Sequence, residues 1–179
     1  MAWDINKAIY ALNRNAAGSA QHLCARYVRM AIEAGGISTA GRPGSAYQYQ
    51  WYLPKIGFNK ITQITGRSEQ SSWSSSNAKA GDIAVMEHGQ HGHICMWNGS
   101  RWVSDFFQNN MWVYSGNGTC YLYRYDGEIN NSIVPPYTAP WQQPSGGGAG
   151  GTSVYSAPSG NQLSGETAST TAFSGQSDD

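Results

Sequence analysis

No apolar run in this chain approaches the roughly 18 residues of a membrane-crossing helix, and the formal net charge is zero. Neither membrane insertion nor a nucleic-acid partner is expected. The N-terminal stretch MAWDINKAIYALNRNA places an acid at Asp4 and interleaves Lys7 and Arg14 with its apolar residues. It has no basic region followed by an apolar core, so it does not read as a secretory signal. The expectation is synthesis in a cytoplasm, with any export by a non-classical route. Cysteine is scarce: only Cys24, Cys95 and Cys120. An odd count leaves at least one thiol unpaired in a monomer, the expected state. Cys95 and Cys120 lie in strand-like runs and could be bridged, leaving Cys24 free; three reduced thiols is the plainer alternative.

What is present suffices for a core. Hydrophobic residues make up 40% of the chain, with seven Trp and eleven Tyr. Charge is unevenly spread. All eleven Lys and Arg lie between Lys7 and Arg124, and residues 1–124 hold only six acids (Asp4, Glu33, Glu69, Asp82, Glu87 and Asp105), a surplus of five positive charges. The other five acids fall in 125–179, which has no basic residue. A mildly basic body suits an anionic polymer such as a cell wall, although such a surplus is also ordinary solubilising charge.

Helical spacing of Ile5, Ala8, Ile9 and Leu12 predicts a helix over Asp4 to Arg14, capped by Asp4. A second helix is predicted over 22–36, with Ser19 as a plausible cap and Gly35-Gly36 ending it. A shorter one runs from Ala46 to Leu53 and stops at Pro54. Ser68 to Lys79 is polar and Ser-rich and reads as a loop. Short alternating runs follow at Asp82–Glu87, Gly92–Trp97, Arg101–Phe107, Met111–Tyr114 and Thr119–Tyr125, with turn residues between them. Helices first and antiparallel strands afterwards indicate an α+β fold. The division expected is a domain over 1–127, a Pro-rich extended segment over 128–141, and a Gly/Ser-rich tail over 142–179, which is too poor in core-forming residues to order.

Cys24 stands near the start of the second helix, where free N–H groups, the helix dipole and the nearby Arg26 and Arg29 favour a thiolate. A small buried hydrophobe is the competing reading. His22 is two residues away and points elsewhere on a helix. His93 begins a strand after a Gly-rich loop, as a base facing a helix-borne nucleophile does. His88, His91 and His93 together are a rival zinc constellation, although no metal is assigned. The residue that orients the imidazole is expected to be Asp105. A two-residue Asn98-Gly99 turn would pair His93 with Ser104 and send Asp105 to the other face, whereas a three-residue turn pairs His93 with Asp105. In the first case Gln108, Asn109 or a backbone carbonyl must hold the ring. Trp51 and Tyr52, with Tyr47 and Tyr49, either line a substrate groove or pack in the core.

The order of these pieces resembles a family. CARYVRMAIEAGG at 24–36, AGDIAVM at 80–86, GHICMW at 92–97, RWVSDFFQ at 101–108 and CYLYRYDG at 120–127 look like the CHAP and NlpC/P60 group of cysteine peptidoglycan amidases and endopeptidases. They are also similar to amidase effectors of type VI secretion systems. The resemblance implies a papain-like fold, N-terminal helices on a small antiparallel sheet. It implies Cys24 as nucleophile, His93 as base and Asp105 as orienting residue; the oxyanion donors are not readable from it, and Gln21 with the Cys24 N–H are the candidates. Gly81 and Asp82 match a structural turn. The implied activity is cofactor-free hydrolysis of a peptidoglycan amide in the periplasm or cell wall, by an effector matched by an immunity protein. A phage lysis enzyme of the same chemistry and a non-catalytic cell-wall-binding module are the alternatives. Many CHAP proteins carry Glu then Asn after the histidine strand, where this chain has Asp105 and Gln108.

Overall fold

The computed structural model describes residues 2–136. The expected disorder of 142–179, and residues 137–141 of the Pro-rich segment, lie outside them. In chain order the elements are β1 (Trp3–Asp4), α1 (Ile5–Asn15), α2 (Cys24–Ala34), a 3₁₀ turn (Ala46–Gln48), α3 (Tyr49–Tyr52), a second 3₁₀ turn (Leu53–Ile56), β2 (Phe58–Thr65) and α4 (Arg67–Asn77). Then come β3 (Ile83–Met86), β4 (His93–Trp97), β5 (Trp102–Val103), β6 (Thr119–Tyr125) and β7 (Ile129–Asn130).

The central feature is a five-stranded antiparallel sheet in the order β2-β6-β3-β4-β5. Strand alternation gives it two buried faces. Ile83, Val85, Ile94 and Met96 pack under α1 and α2, while Ala84, Met86, Cys95 and Leu122 pack under Trp102, Phe106 and the 111–114 segment. This is the expected α+β, papain-like arrangement. Helix α1 forms as its spacing predicts: Ala8, Ile9 and Leu12 are buried, and the Asp4 carboxylate accepts from the Lys7 N–H at 3.0 Å. Helix α2 buries Ala25, Val28, Ala31 and Ile32 and packs on β4. Its alanines let the backbones approach closely.

Several expectations fail for identifiable reasons. Strand β2 escapes notice because a register shift between Lys60 and Thr62 breaks its alternation, and most of it is exposed. The Ser-rich stretch is helix α4, held by polar contacts in place of an apolar stripe. Gln70 Nε2 donates to the carbonyls of Ile64 (3.0 Å) and Gly118 (2.8 Å), and Trp102 Nε1 donates to Ser74 Oγ at 2.8 Å. Met111–Tyr114 is an irregular covering segment with all four side chains buried, not a strand. All three cysteines are free. Cys95 on β4 and Cys120 on β6 are separated by β3, about two strand spacings and too far for a disulfide.

Residues 128–132 are tied to the N-terminus. β7 pairs in parallel with β1, the Trp3 N–H donates to Glu128 O at 2.8 Å, and Asn6 Nδ2 donates to Ser132 O at 2.9 Å. The Ser132 hydroxyl donates to the Asp4 carboxylate.

Candidate active site

Helix α2 begins at Cys24, two residues later than expected, and Ser19 does not cap it. Leu23 occupies the N-cap position and supplies no side-chain cap. The capping acceptor comes from a distant residue: Asp105 Oδ2 accepts from the N–H groups of Gln21 (2.6 Å) and Leu23 (3.1 Å). Between them His22 adopts φ 59°, the left-handed region that side chains other than glycine rarely enter. The Cys24 sulfur lies against the N–H groups of Cys24 and Ala25 at its own helix start and of Ile94 on β4. Those groups favour a thiolate, as expected, but they do not dominate. Complete burial, then the charge of Asp105, push the thiol above its ordinary value. Both effects favour the neutral thiol form of Cys24.

His93 opens β4 beside Ile94 and is fully buried. Its Nε2 lies 2.7 Å from Gln108 Oε1. The Gln108 amide is itself fixed, because its Nε2 donates to the carbonyls of Asn110 (2.9 Å) and Met111 (3.2 Å). Gln108 Oε1 must then accept, so His93 carries its proton on Nε2, and the neutral ring keeps its lone pair on Nδ1. Burial lowers the imidazole pKa, against the opposing effects of Gln108 and Asp105. Arg101 braces this support: Nε and Nη2 donate to Gln108 O at 3.1 and 2.9 Å.

The hydrogen bond expected from Asp105 to His93 is thus made by Gln108. Neither turn considered for 98–100 forms. Trp97 pairs with Trp102, so four residues, Asn98–Arg101, make the turn. Asn98 Oδ1 organises it by accepting from the N–H groups of Ser100 and Arg101. The chain then reverses after Val103: Ser104 N–H donates to Phe106 O, Val103 pairs with Phe107, and Gln108 N–H donates to Trp102 O. That reversal turns the Asp105 carboxylate toward the 21–23 backbone and returns Gln108 to the imidazole.

The other candidates separate. The Gln21 side chain is exposed, and its amide donates to the carbonyls of Ser19 and Ala20. Tyr52 is a core residue whose hydroxyl donates to Ala40 O at 3.0 Å, whereas Trp51 is 57% exposed and meets Tyr47 edge-on. The three imidazoles of the zinc reading diverge. His91 Nδ1 bonds Ser45 Oγ at 2.8 Å, His88 stacks on Tyr114 with ring centroids 4.1 Å apart, and His93 faces Gln108. Among the described residues no three His, Cys, Asp or Glu gather as metal ligands.

Two residues of the site went unassigned in the sequence. Tyr114 is buried beside His93 and Cys24; burial, then Cys24, raise its hydroxyl pKa. Trp112 packs against Tyr114 at 5.1 Å and borders a cleft of about 360 Å³ lined also by Glu87, His88, Ser115 and Asn117. Met86, the last residue of β3, pairs with His93, so this cleft opens at the His93 end of the sheet. Only their place in an aromatic run hinted at either residue.

No protein-family model and no curated protein matches the chain. Solved structures do. The chain is similar to the type VI native effector-immunity complex Tae3-Tai3 from Ralstonia pickettii, with 31% identity over 69% of this chain and 99% of that one, at a TM-score of 0.53. It also matches the selenomethionine form of that complex, with 31% identity over 64% and 98% of the two chains and a TM-score of 0.48.

Proposed function

The chain belongs to the Tae3 family of type VI effectors, and from that premise we propose that it is an antibacterial effector that hydrolyses an amide bond of peptidoglycan with Cys24 as nucleophile and His93 as base. The observation that carries the chemistry is the convergence at the start of β4. The Cys24 sulfur sits on the Ile94 N–H, and the adjoining His93 is held through Nε2 by Gln108.

The proposed steps are as follows. His93 Nδ1 takes the thiol proton as sulfur attacks the carbonyl carbon. Backbone N–H groups at the α2 start, Cys24 among them, stabilise the tetrahedral oxyanion. The imidazolium, its N–H held by Gln108, returns the proton to the departing amine. Water then cleaves the thioester with His93 again as base. The bond cut is the muramoyl-L-alanine amide or one in the stem peptide or cross-bridge. Delivery without a classical signal to the periplasm of a target cell, and neutralisation by a cognate immunity protein, complete the reading; the latter draws on the effector-immunity complexes among the structural relatives.

The test is hydrolysis of purified sacculi. Cys24→Ala and His93→Ala should abolish release of soluble fragments; Cys24→Ala should change the melting temperature by only a few degrees, whereas His93→Ala, which leaves the buried Gln108 Oε1 without its donor, should lower it further. A Cys24→Ala protein that cleaves sacculi at the parent rate refutes cysteine catalysis.

A further inference from the structure

We propose that Asp105 is a positioning residue for the nucleophile: its carboxylate fixes the 21–23 turn from which Cys24 enters its helix, while Gln108 holds the imidazole. This rests on the Cys24–His93 reading above. Three observations carry it. Asp105 Oδ2 accepts from the two N–H groups, those of Gln21 and Leu23, that flank His22. His22 is the one non-glycine residue with positive φ among the described residues, so the turn adopts a backbone that does not hold itself. The opposite end of the same loop is docked on the same short reversal: Ala17 N–H donates to Asp105 O at 2.8 Å, and Ala17 bridges to Phe106.

The loop between α1 and α2 is therefore gripped at both ends by residues 105 and 106. The grip replaces the side-chain cap that Leu23 cannot supply and puts a negative group at the positive end of the helix. One reversal of the chain thereby aligns both partners of the reaction, the sulfur through Asp105 and the imidazole through Gln108. Asp105 is fully buried, so its acceptor cannot be replaced by water.

The experiment compares Asp105→Ala and Asp105→Asn with the parent on soluble peptidoglycan fragments, reading kcat, KM and the pH profile. Asp105→Ala should lose about 10²-fold in kcat, the scale expected when a reacting group is displaced by about 1 Å, with KM nearly unchanged. Asp105→Asn keeps an acceptor for both N–H groups and should recover kcat to within about tenfold. It also removes the charge that raises the His93 pKa, so its acid limb should move to lower pH. The other titratable groups gathered at this end of β4 are Cys24, Cys95 and Tyr114, and both variants leave them in place.

Asp105→Ala turning over at the parent rate overturns the proposal. So does Asp105→Asn that is as slow as Asp105→Ala, since restoring the acceptor would then not restore alignment. If Asp105→Ala does not fold, Asp105→Asn decides alone, and a parent pH profile in that variant counts against the proposal. Failure of the underlying reading looks different: Cys24→Ala stays active.

Discussion

At the scale of single residues, the site turns on one proton. Gln108 can accept from His93 only because both of its amide hydrogens are given to backbone carbonyls, and that fixes which ring nitrogen carries the proton and which keeps the lone pair. Gln108→Ala should leave a buried imidazole N–H without its acceptor, at a cost of about 1–3 kcal/mol, and slow turnover by about 10²-fold; melting curves and initial rates check both. Gln108→Glu should move the acid limb to higher pH, because a carboxylate stabilises the imidazolium. In the parent that limb should lie below the ordinary histidine value of 6.5, since burial lowers the His93 pKa and the base must be neutral to act. A rate that is half-lost above pH 6.5 contradicts this. His22 contributes through its backbone. A β-branched residue at φ 59° is strained, and His22→Val should lower stability by about 1–2 kcal/mol.

At the scale of elements, legibility followed the physical source of each element's stability. Helix α1 was readable because its own residues cap it and bury one stripe. Helix α2 was readable in its body but not at its start, because its cap is Asp105, 82 residues away from Leu23. Nothing local records that contact. The same long-range organisation hid α4, whose buried face is Gln70 and Ser74, and it left the holder of the His93 ring open among Asp105, Gln108, Asn109 and a backbone carbonyl, because the choice depends on a reversal after Val103. The places of Cys24 at a helix start and His93 at a strand start were legible because both are local features. The turn into β3 was legible too. Gly81 sits at φ 91°, and a Cβ there would lie 2.7 Å from the Trp3 ring. Gly81→Ala should therefore destabilise by more than the roughly 1 kcal/mol of a backbone penalty alone, and Trp3→Ala should cost about 3–5 kcal/mol. Trp3 is 1% exposed, meets Phe58 at 5.0 Å and donates to Ile32 O. Thermal unfolding of the two variants checks both values.

At the scale of the whole molecule, the two ends of the described chain meet. The boundary drawn at 127 from composition falls just before residues that complete the N-terminal structure. Glu128 accepts from Trp3, Ile129 and Asn130 pair with Trp3 and Asp4, and Ser132 bonds both Asp4 and Asn6. Asp4 is also the cap of α1, and α1 packs on α2, which begins at Cys24. A chain of contacts thus runs from 128–132 through α1 to Cys24. Two truncations separate its consequences. A chain ended after Trp141 keeps every one of these contacts and should match the parent in melting temperature and in sacculus hydrolysis. A chain ended after Gly127 loses several partly buried hydrogen bonds at about 0.5–1.5 kcal/mol each. Its melting temperature should fall by on the order of 10 °C, with activity at 25 °C less affected than stability, because none of the lost groups touches the reacting atoms. Equal melting temperatures for the two truncations would mean that 128–132 add nothing to the body. A large loss on cutting after Trp141 would mean that the segment beyond it stabilises the fold.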